Sequence, residues 1–263
     1  MHDTDETLFF YDMRYFMELC YDGAAYCGWQ RQPAAPTVQQ TLEKALSTLL
    51  REQVETVGAG RTDTGVNASY YTAHFDSVRP VDDCAKLVYK LNLILPHDIA
   101  VSSVTAVDEN AHARFDAVER EYTYYISQRK NPFRRFSAWQ YYVPLDMERM
   151  NSAAEALLRH DDFTSFAKLN SNNKTNICRV TRAEWRREGD MLVFTIRADR
   201  FLRNMIRAIV GTLVDVGRGR YTPEDFERII AARDLSLSSG SAPAVGLFLS
   251  DVVYPENVFK RIR

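Results

Sequence analysis

The stretch from Gln53 to Phe75 reads QVETVGAGRTDTGVNASYYTAHF, and its pattern sets the expected fold of the first half of the chain. The residues from 53 to 59 and from 69 to 75 are each predicted to form a strand. The intervening loop, residues 60–66, contains Gly60 and Gly65, which relax the restriction on the backbone there. We therefore expect Asp63 to lie at a bend between two strands, and loops held by rigid strands commonly carry function.

Asp63 is the candidate functional group of this loop. An ionised and oriented carboxylate can act as a nucleophile, a base or an electrostatic stabiliser. Arg61, two residues earlier, can hold that carboxylate ionised or can contact a phosphate. The alternative interpretation is a structural turn. Asp-Thr-Gly also suggests an aspartic protease, but that chemistry needs two carboxylates, and the chain has no second copy of the motif.

The remaining elements alternate between strands and helices. Helical spacing and capping signals predict five helices: Val38 to Leu50, Lys86 to Leu95, a helix capped by Asp146 that runs to Arg159, Phe201 to Val216, and a helix begun by Thr222-Pro223 that runs to Ala232. Further strands are predicted at Tyr15 to Tyr21, Ile99 to Val107, Glu121 to Ser127, Met191 to Arg197 and Leu247 to Val253. This order indicates an α+β protein with antiparallel sheet and helices on one face.

The helix predicted from Phe201 to Val216 has the clearest pattern, with two adjacent apolar rows at i, i+4 spacing. Arg203 and Arg207 have the same spacing, so we expect them to share one flank of that helix. Gly217 is expected to end it in the position that favours glycine.

Composition narrows the class of protein. No apolar run reaches the roughly 18–20 residues of a membrane span. Residues 1–13 include four acids and no Lys or Arg before Met13, which we interpret as an acidic, disordered lead-in and not a secretory signal. The four cysteines, Cys20, Cys27, Cys84 and Cys178, form no C-x-x-C pair. This spacing argues against a zinc site and favours reduced thiols in the cytoplasm.

Charge is distributed unevenly along the chain. The net charge is −2, yet residues 179–220 hold ten arginines against five acids. That segment is either a basic face that binds nucleic acid or a solvated arginine-rich surface, and composition does not decide between them.

Several motifs, in one order along the chain, resemble the bacterial tRNA pseudouridine synthase A family. They are Tyr21-Asp22-Gly23, Gly28-Trp29-Gln30, Gly58-Ala59-Gly60-Arg61-Thr62-Asp63, Ala113-Arg114-Phe115, Arg120-Glu121-Tyr122-Thr123-Tyr124, Phe201-Leu202-Arg203-Asn204-Met205-Ile206-Arg207, Val210-Gly211-Thr212-Leu213, Val216-Gly217-Arg218-Gly219 and Ala242-Pro243-Ala244-Val245-Gly246-Leu247. They cover roughly residues 14–256.

The resemblance implies a pseudouridine synthase fold, with two similar α/β subdomains whose antiparallel sheets join around a central cleft. We expect an N-terminal subdomain at residues 14–110 that carries the catalytic Asp, and a C-terminal one at residues 111–263 that completes the cleft. The implied reaction converts uridine to pseudouridine at positions 38, 39 and 40 of the tRNA anticodon stem-loop, without cofactor or metal. A homodimer in the cytoplasm, with no membrane contact, is implied as well.

Residue roles also follow from the resemblance. Asp63 matches the essential carboxylate and is assigned as the nucleophile; whether it attacks the sugar or the base, or acts through a glycal, stays open. Tyr122 matches a tyrosine that stacks on the base or assists removal of the C5 proton. Arg207 matches the arginine that pairs with the carboxylate, and Leu247 an apolar wall of the uracil pocket.

Two arginines complete the expected site. Because a stacked uridine must be extruded before it can react, Arg61 is placed to fill the gap or hold the phosphate. Arg203 and the other arginines of residues 179–220 are expected to follow the RNA backbone.

The chain departs from the family pattern at Thr64, where Ala is common, at Asn67, where His is common, and at Asp161-Asp162-Phe163, which carries an extra acid. A catalytically silent RNA-binding relative, or a synthase that acts on other RNA sites, are the alternative functions.

Overall fold

The computed structural model describes residues 13–168 and 175–259. Nine strands are present in this part of the chain: β1 Met13–Tyr21, β2 Thr56–Gly58, β3 Asn67–Ser77, β4 Ile99–Ala106, β5 Glu119–Ser127, β6 Trp139–Gln140, β7 Val180–Glu188, β8 Met191–Ala198 and β9 Leu247–Val253. The α-helices are α1 Val38–Leu50, α2 Cys84–Ile94, α3 Met147–Ala154, α4 Met205–Gly217 and α5 Pro223–Ala232. The predicted acidic lead-in lies outside the described residues, apart from Met13.

All nine strands belong to one sheet. Seven of them follow the order β4-β1-β3-β9-β5-β8-β7, while β2 pairs with β3 and β6 pairs with β5. Most neighbours are antiparallel, which confirms the α+β class with antiparallel sheet. The expected sheets of the two halves are continuous, because β9 inserts between β3 and β5 and pairs with β3 in parallel.

Two large hydrophobic cores flank this β3–β9 seam. One contains the buried side chains of β1, α1, β3, α2 and β4, together with Leu249 and Val252 of β9. The other contains those of β5, α3, β8, α4 and α5, together with Val66 and Leu247. The last strand therefore contributes side chains to both cores. The division of the chain near residue 110 into two subdomains stays a prediction.

Local signals predicted most element ends to within a few residues. The predicted bounds of α1 match, and the Thr37 side chain accepts a hydrogen bond of 3.3 Å from the Gln40 backbone. A complete capping box forms instead at α5, where Thr222 and Asp225 each cap the other's backbone N–H. The predicted strand before the Asp63 loop shortens to three residues, and the helix capped by Asp146 continues beyond Ala154 as a 3-10 turn, Glu155–Leu158.

The start of α4 differs from the prediction. Asn204 has a left-handed backbone, with φ of 65°, so the helix begins at Met205 and not at Phe201. Arg203 consequently lies in the turn before the helix and shares no helix flank with Arg207. Gly217 also plays another role: it is the last helical residue, and a Cβ there would lie 2.6 Å from the Met150 sulfur.

The arginine-rich segment is not a uniform basic face. Six of its ten arginines lie within 4 Å of a carboxylate, among them Arg182 and Arg197, which share Glu121. Arg197 also reaches Asp251, 3.1 Å away. Acids of the segment itself, together with acids of β5 and β9, therefore neutralise part of the charge that the sequence concentrates here. No helix of the described residues is long and apolar enough to cross a membrane.

Gly211 sets how closely α4 approaches residues 238–242. A Cβ built on Gly211 would lie 2.0 Å from the Gly240 carbonyl oxygen. We expect Gly211→Ala to lower the free energy of unfolding by about 1–3 kcal/mol, because overpacking against backbone outweighs the gain of about 1 kcal/mol in helix propensity. Urea unfolding measures this change.

The matched control is Gly240→Ala, because a Cβ on Gly240 meets nothing within 4 Å. Its stability should stay within about 0.5 kcal/mol of the unmodified protein. Equal losses in both variants would contradict this account of the packing.

Candidate active site

The loop at residues 59–66 joins the two cores. Ala59, at its start, is buried in the core of the first half, whereas Val66, at its end, is buried in the core of the second. Between them the Val66 N–H donates to the Asp63 carbonyl oxygen at 3.1 Å and closes a turn. Gly65 supplies the positive φ of 76° that this turn needs. Asp63 is thus held at both ends by packed side chains, as expected for a bend between strands.

A neighbouring loop fixes the backbone of Thr62. The Trp29 N–H donates to the Thr62 carbonyl oxygen at 3.4 Å. The approach requires Gly28, whose φ is 86° and whose Cβ, if present, would lie 2.3 Å from the same oxygen. The Gly65 N–H donates in turn to the Tyr26 carbonyl oxygen at 3.2 Å. These contacts explain physically why the Gly28-Trp29 motif accompanies the Asp63 motif.

Three buried aromatic residues support the loop from below. Tyr71 donates its hydroxyl to the Gly60 carbonyl oxygen, and the Tyr21 hydroxyl bonds the Thr62 hydroxyl at 2.9 Å. Trp29 stacks on Tyr71, with ring centroids 4.1 Å apart. Burial raises the pKa of both tyrosines, so they remain neutral hydrogen-bonding groups. Sequence reasoning missed this support, although two of the three residues lie in motifs that it quoted.

Asp63 opens onto a cleft of about 670 Å³. Its side chain is 28% exposed, and one carboxylate oxygen lies 3.6 Å from Nε of Arg203. Small and mostly polar residues also line the cleft: Ser236, Ser238, Ser239, Gly240 and Ser241. Thr64, Lys168 and Arg207 also line the cleft. The Asp63 carboxylate, two arginines and several serines therefore line one space that is large enough for a nucleotide base.

The ion pair of Asp63 differs from the expected one. Its partner is Arg203, in the turn before α4, and not Arg207. Nε of Arg207 donates instead to the Ala242 carbonyl oxygen at 2.7 Å. The reason is the late start of α4, which leaves Arg203 off the helix face and lets it reach Asp63. Arg207 lies in the first turn of the helix and lines the same cleft.

Tyr122 lies in β5, half-buried, where it packs against both cores. Its ring meets the edge of Phe201, with centroids 5.2 Å apart and planes at 84°. Burial raises the pKa of Tyr122 to about 12, and the charge of Asp63 adds to this rise. The phenol is therefore protonated at neutral pH and lies close enough to Asp63 to sense its charge.

Two further residues that the sequence predicts at the site, Leu247 and Arg61, are not among those that line the cleft. Leu247 is only 5% exposed and packs in the core of the second half, so it is not an open wall of the cleft. Arg61 is exposed, two residues before Asp63. Within the described residues its guanidinium forms no ion pair, which leaves it available to a ligand.

Asn67, one of the departures from the family pattern, has a clear structural role. Its buried amide accepts a hydrogen bond of 2.8 Å from the Gly23 N–H and donates one of 3.0 Å to the Val245 carbonyl oxygen. It thereby connects the segment after β1 with the segment before β9. Because Asn67 directly follows the Asp63 loop, these two hydrogen bonds hold the end of that loop.

Arg120 is a second feature that sequence reasoning missed. Its guanidinium donates to four backbone carbonyl oxygens, those of Ala59, Arg114, Ala117 and Asp199, at distances from 2.6 to 3.1 Å. Burial lowers the pKa of Arg120. The side chain ties the first residue of the Asp63 loop to the segment before β5 and to the end of β8. The only sequence signal for Arg120 is that it begins the motif Arg120-Glu121-Tyr122-Thr123-Tyr124.

The described part of the chain was also searched for side chains that could bind a metal ion together. No three His, Cys, Asp or Glu side chains come close enough there to hold a metal ion.

Known proteins resemble this chain over the segments that form the fold and the cleft. A family model described as tRNA pseudouridine synthase matches residues 20–116 and 153–255, most of the chain. The fold and the site thus define a pseudouridine synthase.

Individual relatives narrow this class. The chain is 53% identical to a tRNA pseudouridine synthase A of Bacteroides thetaiotaomicron over 94% of this chain and 92% of the relative. It is 51% identical to that of Parabacteroides distasonis, over 94% and 98%. With that of Bacillus licheniformis it shares 42% identity, over 92% and 99%. The chain belongs to the tRNA pseudouridine synthase A family.

Arg120 provides a test of how the Asp63 loop is held. We expect Arg120→Met to lower the free energy of unfolding by about 2–4 kcal/mol, because four carbonyl oxygens lose their donor. Urea unfolding measures the loss. Arg149→Met is the control, since Arg149 donates one such bond, of 3.2 Å to the Tyr221 carbonyl oxygen, and should cost about 1 kcal/mol. If the two variants lose the same stability, the carbonyl contacts of Arg120 do not stabilise the loop.

Proposed function

We propose that this protein converts uridine to pseudouridine at positions 38, 39 and 40 in the anticodon stem-loop of tRNAs, with Asp63 as the essential carboxylate. The observation that carries the proposal is the Asp63 carboxylate, which lies on the loop between the two cores, is partly exposed to a cleft and is paired with Arg203. Family membership supplies the reaction, and the names of the relatives supply tRNA as the substrate.

The chemistry balances without a cofactor. The bond between C1′ and N1 breaks, a bond between C1′ and C5 forms, C5 loses a proton and N1 gains one. An isomerisation of this kind consumes no oxidant, reductant or energy source. What the protein must provide is a nucleophile, a route for one proton and a cleft that admits an extruded base.

The residues of the site fit these tasks. We propose Asp63 as the nucleophile, because its carboxylate faces the cleft and lies 3.6 Å from Nε of Arg203. Arg61 is exposed beside it and can replace the extruded uridine or hold its phosphate. Arg207 lines the cleft and can contact the phosphate of the bound nucleotide. From the family resemblance we also propose Leu247 as an apolar side chain on the side of the uracil pocket.

Tyr122 fits the proton step. A phenol with a pKa of about 12 keeps its proton through neutral pH, so it acts as a neutral hydrogen-bonding group and not as a standing base. Because the phenol keeps its own proton, it assists by hydrogen bonding and does not take up the C5 proton. We propose that the C5 proton passes to solvent water and that N1 takes one from water. Its ring can also stack on the base.

The assembly and its place in the cell follow from the family resemblance alone. We propose a homodimer, in which each tRNA touches both subunits, located in the cytoplasm. Sedimentation at assay concentration measures the first of these points.

Asp63→Asn tests the central assignment. We expect pseudouridine formation to fall by at least about a thousandfold, because an amide cannot replace the nucleophile. tRNA affinity should stay within about twofold, since the side chain keeps its shape. Release of tritium from tRNA labelled at C5 of uridine measures turnover, and filter binding measures affinity.

Asp82→Asn is the control, because it makes the same change at an exposed carboxylate. A catalytically silent RNA-binding relative would show no turnover in the unmodified protein. Turnover with Asp63→Asn at the rate of the control would refute the assigned role of Asp63.

Tyr122→Phe tests whether Tyr122 acts as a neutral phenol or as a phenolate. The pKa is raised, so the proton stays bound across pH 6–10, and the unmodified enzyme should show no rise in rate from phenol ionisation in that range. We expect the variant to lose about a hundredfold or more in rate while its pH profile keeps the same shape. A rise in rate with pH that only the unmodified enzyme shows would contradict the neutral role.

A further inference from the structure

The loop of residues 129–136 follows β5 and reads RKNPFRRF. From Gln128 to Leu145 the chain holds four cations, Arg129, Lys130, Arg134 and Arg135, and no acid. Residues 132–134 form a short 3-10 turn, capped by Asn131. Positive charge is therefore concentrated on one short connection, outside the cleft that contains Asp63.

The aromatic residues of this 129–136 loop face solvent. Phe133 is 93% exposed, the largest exposed fraction among the exposed large hydrophobic residues of the described chain. Phe136 is 56% exposed, and the Arg135 guanidinium lies over its ring, 4.6 Å from the centroid. Exposed aromatic rings beside unpaired cations are typical of surfaces that bind a partner.

The cations of the loop are less neutralised than the arginines of the strands. Arg129 lies 3.3 Å from Asp190, but within the described residues Lys130, Arg134 and Arg135 form no ion pair. In β7 and β8, by contrast, Arg182, Arg186 and Arg197 are each paired with a carboxylate. Of the arginines in these two strands only Arg187 forms no ion pair within the described residues, whereas three of the four cations of the short loop are unpaired.

The position of the loop indicates which part of the RNA it would meet. Tyr122 and Ser127 lie five residues apart on β5, about 17 Å at the rise of a strand. Successive phosphates of one nucleic-acid strand are only a few ångströms apart along the helix axis, so this distance spans several nucleotides. Any RNA that contacts the loop therefore lies several nucleotides from a uridine held at Asp63.

We propose that the 129–136 loop is a second RNA-binding surface, which holds the tRNA beyond the anticodon loop. Lys130, Arg134 and Arg135 contact phosphates, and Phe133 packs on an exposed ribose or base. This inference rests on the proposed function, in that tRNA is the substrate. The 129–136 loop would then help to select the substrate from outside the catalytic cleft. It increases the affinity for a folded tRNA and leaves the isomerisation step unchanged.

Two variants test the surface. The first is the triple variant Lys130→Glu, Arg134→Glu and Arg135→Glu, and the second is Phe133→Ala. We expect the triple variant to bind full-length tRNA at least about tenfold more weakly, and Phe133→Ala about threefold or more. The rate of a single turnover at saturating enzyme should stay within twofold for both. Affinity for an isolated anticodon stem-loop should also stay within twofold.

The matched control reverses the charge of three exposed side chains elsewhere, in the triple variant Arg79→Glu, Lys86→Glu and Lys90→Glu. Lys86 and Lys90 belong to α2, which packs on β4 at one edge of the sheet. The control should bind full-length tRNA within about threefold of the unmodified protein. An equal loss in the control and the triple variant would overturn the proposal, because the effect would then reflect net charge alone.

Two further results would overturn it. One is an equal loss of affinity for the stem-loop and for full-length tRNA, which would place the contact at the anticodon loop. The other is conversion of a dimer to a monomer by Phe133→Ala, seen by sedimentation, which would make the loop a protein interface. These results are distinct from failure of the proposed function, in which the unmodified protein would form no pseudouridine at any tRNA concentration.

Discussion

Two backbone pairings between β3 and β9, Asn67 with Phe248 and Ala68 with Leu249, join the halves of the sheet. The Asp63 loop ends directly before the first of them, so the seam determines where the carboxylate lies. Val66 packs into one core and Ala59 into the other. The carboxylate is therefore positioned by both halves at once, and the cleft is built from the segments that meet at the seam.

Backbone carbonyl oxygens are the points at which the loop is held. Arg120, Tyr71 and the Trp29 N–H each donate to one of them. Donors of this kind fix the loop without using the Asp63 side chain, which stays free to face the cleft. Rigid support around a partly exposed group is what catalysis by an oriented carboxylate requires. The arginine of the turn before α4 completes the setting by balancing the charge of Asp63.

Local interactions were readable from the sequence, and distant ones were not. The bounds of α1 followed from a cap and a 3.6-residue period, both of which act within a few positions. The left-handed backbone of Asn204 could not be inferred, because the apolar rows predicted for this helix continue through it. The sequence therefore predicted Arg207 as the ion-pair partner of Asp63, whereas the partner is Arg203. Arg120 was missed because its acceptors lie up to 79 residues away along the chain. The ion pairs that neutralise β7 and β8 were missed because their acids come partly from β5 and β9.

The central claim is that this protein modifies the anticodon arm of tRNA. Pseudouridine mapping of total tRNA, from cells with and without the gene for this protein, tests it most directly. The account predicts that pseudouridine disappears at positions 38, 39 and 40 when the gene is deleted, returns when it is restored, and is unchanged elsewhere. Pseudouridine retained at all three positions in the deletion strain, or lost only at other RNA sites, would contradict it.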